Sequence, residues 1–182
     1  MHARFALFFL LAFSFAINTS YAQSSLPSGW SHRDIGAVGV AGNATYASGV
    51  FTVTAAGPQI WGTADGMHFV YRPMAGDGSL VARVISVTGM RSGTNPVVGV
   101  MIRETLASNS RHVSSVYRTN PMVELMWRGA TGGSSSYTNS LIATPLPYWV
   151  KVVRSGSMIS SYMSPDGNSW TQVGASQTVT FR

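Results

Sequence analysis

The chain contains no cysteine, and that single absence removes disulfide staples, thiolate metal sites and cysteine nucleophiles together. Stability must come from packing, and any metal must rest on histidine and carboxylate. Lysine is nearly missing too. Lys151 is the only one, so the 12 cationic residues are otherwise arginine, set against six acids for a formal charge of +6. No basic run exists: Arg33, Arg72, Arg83, Arg91, Arg103, Arg111, Arg118, Arg128, Arg154 and Arg182 stand singly among apolar and small residues. Scattered arginine of this kind suits paired or snorkelling contacts on a β-protein, and no nucleic-acid partner is expected. Sustained helical periodicity is also lacking. So are a Gly-x-Ser-x-Gly nucleophile elbow and a phosphate loop, since the lone lysine follows Val150 rather than glycine.

What is present begins with the compartment. A basic start at Arg4, an apolar run from Phe5 to Ile17, and the small-x-small Ser20-Tyr21-Ala22 follow in the order of a secretory signal peptide. Residues 1–22 are therefore expected to be removed, leaving Gln23 first in a secreted protein, extracellular or periplasmic, with Arg4 and its charge lost. The apolar run is shorter than the roughly 20 residues a membrane span needs, and no second one follows. Residues 23–182 suit one domain, which at about 160 residues buries about 70% of its unfolded-chain surface.

Apolar residues in that domain fall in short runs rich in Val, Ile, Tyr and Trp, separated by Gly, Asn, Asp and Ser. This pattern predicts strands at 30–36, 50–55, 67–73, 79–87, 97–104, 111–119, 122–129, 148–154, 158–163 and 170–174. Short links carrying glycine, Ser155-Gly156-Ser157 and the 164–169 stretch, predict hairpins, as does Asn120-Pro121, where proline removes a ladder donor. The fold expected is all-β, an antiparallel two-sheet β-sandwich.

Several blocks together resemble the concanavalin A-like, laminin G-like jelly-roll modules of secreted bacterial proteins. They are Gly76-Asp77-Gly78-Ser79-Leu80-Val81-Ala82-Arg83-Val84, Gly99-Val100-Met101-Ile102-Arg103-Glu104 running into Ala107-Ser108-Asn109-Ser110-Arg111-His112, Pro147-Tyr148-Trp149-Val150-Lys151-Val152-Val153-Arg154-Ser155-Gly156, and Tyr162-Met163-Ser164-Pro165-Asp166-Gly167-Asn168-Ser169-Trp170. The resemblance implies a jelly roll that binds glycans or partners as an appended module. Such modules continue past the Trp170 hairpin by at least one further strand, whereas this chain stops at Arg182, so the expectation is a domain lacking its last strand or two.

Catalytic constellations are thin. Glycoside hydrolysis needs two carboxylates about 5 to 9 Å apart, and none of Asp34, Asp65, Asp77, Glu104, Glu124 and Asp166 has the i, i+2 or i+4 spacing that sets two on one strand face. A polysaccharide lyase, the enzyme alternative, would draw on Arg103, Arg111, His112, Tyr117 and Tyr71 to neutralise a uronate and move its protons. A structural or adhesion module of a larger protein is the other alternative. No cofactor is expected. His32, His68 and His112 have no paired spacing, and a structural calcium on turn carboxylates such as Asp77 or Asp166 is the one metal left open. The favoured reading is a non-catalytic module binding carbohydrate or a surface polymer. If adjacent strands pair, His68, Arg72, Arg83, Arg103, His112 and Arg128 project from one sheet face together with Arg118 and Glu124. Trp61, in a loop-like stretch, is the best candidate for an exposed sugar platform.

Overall fold

The computed structural model describes residues 25–90, 96–141 and 145–182; the segment read as a signal peptide, the cleavage site expected for it and Gln23 lie outside them, as does Arg91. Within the described residues every regular element is a strand. In chain order these are β1 (Ser31–Ile35), β2 (Asn43–Ala47), β3 (Val50–Thr54), β4 (Gln59–Trp61), β5 (Ala64–Tyr71), β6 (Gly78–Val84), β7 (Val97–Arg103), β8 (His112–Arg118), β9 (Met122–Arg128), β10 (Ser136–Leu141), β11 (Tyr148–Ser155), β12 (Met158–Ser164), β13 (Thr171–Gln172) and β14 (Gln177–Thr178). No helix among them is long and apolar enough to cross a membrane.

Antiparallel pairing builds four sheets. One runs β10-β9-β8-β7, another β13-β12-β11-β6 with β14 also on β12, a third β1-β5-β4, and β2 pairs with β3. The first two face each other as a sandwich-like pair. Because successive side chains alternate, Val113 and Tyr117 of β8 point inward with Val100, Ile102, Val123 and Leu125. They meet Val84, Tyr148, Val150, Val152 and Ile159 of the opposing sheet, and Val173 and Val179 fill the far end. Val150, Val152 and Ile159 are wholly buried, each contributing about 1.5–3 kcal/mol from apolar burial. Hydroxyls caught in that layer must find partners, and Ser161 Oγ donates to Ser115 Oγ at 2.8 Å across the two sheets.

The other face of β7, β8 and β9 is also covered. There Met101, Val116 and Met126 pack on Ile60 of β4, with Met67 and Phe69 of β5 closing the layer. The four-stranded sheet is thus the middle of three layers, and β8 is buried at every position but its last.

Each stretch expected to be extended overlaps a strand. The expected hairpins form at β8–β9, β11–β12 and β12–β13, with Gly156 (φ 59°) and Gly167 (φ 79°) supplying the left-handed turns. Outside the expected stretches lie β2, β4, β10 and β14, and Trp61 lies at the end of β4 rather than in a loop. Pairing of adjacent strands holds for β7-β8-β9-β10 and fails for β6. That strand runs beside β11, with Val84 opposite Tyr148, because Leu80, Ala82 and Val84 serve the inner face of the other sheet.

Candidate ligand-binding cleft

The face imagined as one polar surface is divided by this topology. Arg83 sits on β6 in the five-stranded sheet, its guanidinium 6.0 Å from the Trp149 ring centre. Arg72, just beyond β5, lies 5.8 Å from the Trp30 ring. Neither shares a surface with β8 and β9.

His68 lies on β5 opposite Asp34 of β1, with His32 a diagonal neighbour. The fold therefore unites two histidines that are 36 residues apart in sequence. A carboxylate only accepts, so His68 Nδ1 donates to Asp34 Oδ1 at 2.7 Å. That leaves Nε2 to accept from His32 Nδ1 at 2.9 Å. The His68 hydrogen bond, followed by the amide of Gly42, holds the Asp34 carboxyl below its ordinary value against the cost of burial. A side chain at residue 42 would strike the His68 ring at 2.3 Å, so glycine is required there. With its side chain 1% exposed, His68 is a clamp between β1 and β5 rather than a surface ligand group.

Arg103, His112 and Arg128 do come together, but beneath the third layer. Their centre is Asp65, which sequence reading left without a role. Asp65 Oδ1 accepts from Arg128 Nη2 at 2.7 Å and Oδ2 accepts from Arg103 Nη1 at 3.1 Å. Arg128, wholly buried, also donates to the carbonyls of Gly62, Ser108, Ser110 and Gly133 and to Ser135 Oγ. Arg103 donates to the carbonyls of Thr105 and Ala107. Arginine is conspicuously suited to this because its planar fork reaches several acceptors at once. His112 Nε2 is 3.8 Å from Asp65 Oδ1, and neither ring nitrogen has a hydrogen-bond partner. Desolvation lowers the His112 pKa to about 4; Asp65 opposes that shift, and Arg128 and Arg103 add to it. The three residues expected to meet a ligand are thus internal, their donors spent on the protein's own backbone and Asp65.

The remaining end of the same sheet face is open, and here a cleft of about 280 Å³ forms between β4, the β8–β9 turn and β10. Its rim carries Trp61, 42% exposed, and Tyr137, 52% exposed; the rings meet edge to face, 5.5 Å between centres at 69°. The amides of Gln59, Asn120 and Asn139 line it with Met122. On its floor the Arg118 guanidinium meets Glu124 Oε1 at 2.6 Å. Antiparallel register explains the set, since Asn139 pairs with Glu124 and Arg118 with Met122. Gln59 has φ 148°, a backbone state L-residues seldom adopt, of the kind that gathers at working sites.

Arg118, Glu124 and Trp61 belonged to the sequence expectation, whereas Tyr137, Asn139 and Gln59 did not. The missed signal was the alternation Tyr137, Asn139 along a short polar strand.

Among the described residues lining the cleft Glu124 is the only acid, so they form no carboxylate pair there. The lyase set does not converge on it. Tyr117 faces the inter-sheet core while His112, five residues away on β8, faces the opposite side, and Tyr71 stacks on Phe69 at 5.8 Å. Arg111 donates to the Thr180 carbonyl.

Among the described residues no group of three or more His, Asp or Glu is arranged to hold a metal. Asp77 accepts from the Gly156 amide at 2.7 Å. Asp166 accepts from the amides of Asn168 and Ser169, each at 2.8 Å, which with Ser164 lower its pKa to about 2. Comparison with protein-family models, curated proteins and solved structures found no match.

Proposed function

We propose that this chain is a secreted, non-catalytic recognition module of the concanavalin A-like jelly-roll kind, binding a glycan in the cleft between β4 and β10. The observation that carries the reading is the exposed Trp61–Tyr137 pair on the rim of a cleft that Gln59, Asn120 and Asn139 also line. A sugar ring presents an apolar face of C–H groups and a perimeter of hydroxyls. Aromatic rings match the face, and Asn, Gln and charged side chains match the perimeter. Large aromatics held half in solvent, beside side chains that both donate and accept, are what such a ligand requires.

Affinity electrophoresis of the full chain through gels containing soluble polysaccharides tests this. The expected result is retardation on at least one polymer, weakened about tenfold by Trp61→Ala and by Tyr137→Ala, since truncating a contact anchor costs more than about 1 kcal/mol. The rings sit at the surface, so both variants should fold. Retardation that survives both substitutions, or none on any polymer, overturns the reading.

A further inference from the structure

We infer that the cleft selects a neutral, hydroxyl-presenting glycan and rejects uronate or sulfated ones, with Glu124 accepting from a ligand hydroxyl. This deepens the glycan-binding reading and rests on it. The chain as a whole is strongly cationic, which points naively toward an acidic polymer, but the cleft is not. Among the described residues its lining holds one cation and one anion, and these are joined at 2.6 Å. The other described polar side chains there are uncharged: three amides, a phenol and the Trp61 indole.

Glu124 carries the rest of the argument. It is 3% exposed, and while Oε1 is held by Arg118, Oε2 has no hydrogen-bond partner. A buried carboxylate oxygen left unpaired is costly and calls for a donor. No described neighbour supplies one, and Glu124 is part of the cleft lining, so a ligand held there is the donor at hand. A hydroxyl donor satisfies Oε2, whereas a carboxylate or sulfate brings only acceptors and negative charge against it. Arg118 offers such an anion little compensation, because its own charge is already opposed by Glu124.

The test is the same electrophoresis with two panels, neutral polysaccharides and uronate- or sulfate-bearing ones, run at about 0.05 and about 0.5 M salt, where screening separates ionic from neutral contacts. Retardation confined to neutral polymers and unchanged by salt is the expected result. Glu124→Gln should lower neutral retention about tenfold, as loss of a charged acceptor does. It should also create salt-sensitive retention on uronates, because the carboxylate that opposes the Arg118 charge at 2.6 Å is gone. Retention on acidic polymers only, or equally on both panels, overturns the selectivity while leaving glycan binding standing. Retention on neither overturns both. Should the Glu124→Gln chain fail to fold, the salt response and panel preference of the unaltered protein decide alone.

Discussion

Asp65 is one carboxylate facing two guanidiniums in a place closed to solvent, so the cluster keeps a net positive charge inside the protein. Its members survive there because nearly every donor has an acceptor: Arg128 alone reaches four carbonyls, a hydroxyl and the carboxylate. Removing one partner from such a buried set typically costs about 3–5 kcal/mol, because the remaining charge is stranded. His112 is the exception, a ring without a hydrogen bond beside two cations, and it is kept neutral. Its folded pKa of about 4 lies below the ordinary 6.5, so between those values the unfolded chain takes up a proton that the folded chain refuses. Stability therefore falls as pH drops from 6.5 to 4 and this loss levels off below 4, for a total of about 3 kcal/mol. Urea denaturation across that range should show the decline, and His112→Gln should flatten it. A variant with the wild-type slope would show that His112 is not its source. None of this was legible in residue types alone. Arg103, His112 and Arg128 were correctly placed on one sheet face, but whether that face meets water depends on a third sheet whose strand β4 is only three residues long.

At the scale of elements, sequence reading found the strands whose apolar alternation serves the sandwich core, β6, β7, β8, β9, β11 and β12, and with them β1, β3, β5 and β13. The ones it missed have other reasons to be strands. β10 pairs with β9 along Ser136, Tyr137, Thr138 and Asn139, where few residues are apolar because one face lines a cleft. β4 is extended because its edge is held by β5. Hairpin chemistry was more legible, since glycine at a left-handed turn and proline at a ladder end act locally. Two glycines separate local from long-range demands. Gly156, in the β11–β12 turn, has open space around it, and Ala there costs about 1 kcal/mol through its left-handed backbone alone. Gly99, on β7, faces β8 so closely that a Cβ would lie 2.2 Å from the Ser115 carbonyl oxygen and 2.7 Å from Val116 Cα. Gly99→Ala should lower stability by about 1–3 kcal/mol or more, because strand backbone cannot yield as a side-chain tip can. Thermal denaturation of the two variants side by side measures this, and equal losses would refute the close approach.

For the whole molecule, the all-β class was legible, whereas the third layer was not. Burial on both faces makes the middle sheet the part of the protein that opens last. Hydrogen exchange should accordingly be slowest at β8 and β9, approaching the global unfolding limit, and far faster in the β2–β3 hairpin, whose β3 is mostly exposed. Uniform protection across the strands would contradict the layered architecture. The net charge was legible, but how much of it is paired was not. Arg103 and Arg128 answer Asp65, Arg111 stands 3.7 Å from Glu104, and Arg118 is matched by Glu124, so much of the arginine is neutralised where it stands.

One buried contact reaches further than its size suggests. Through the Gly62 carbonyl and Ser135, Arg128 fastens the chain one residue from Trp61 and two from Tyr137, and the Ser135 amide closes on the same carbonyl at 2.9 Å. The two rings of the proposed sugar site are therefore mounted on a common anchor, already posed before any guest arrives. Little ordering entropy is left to spend on docking, and under the proposed function the grip on a ligand should last until the protein itself melts rather than slacken ahead of it.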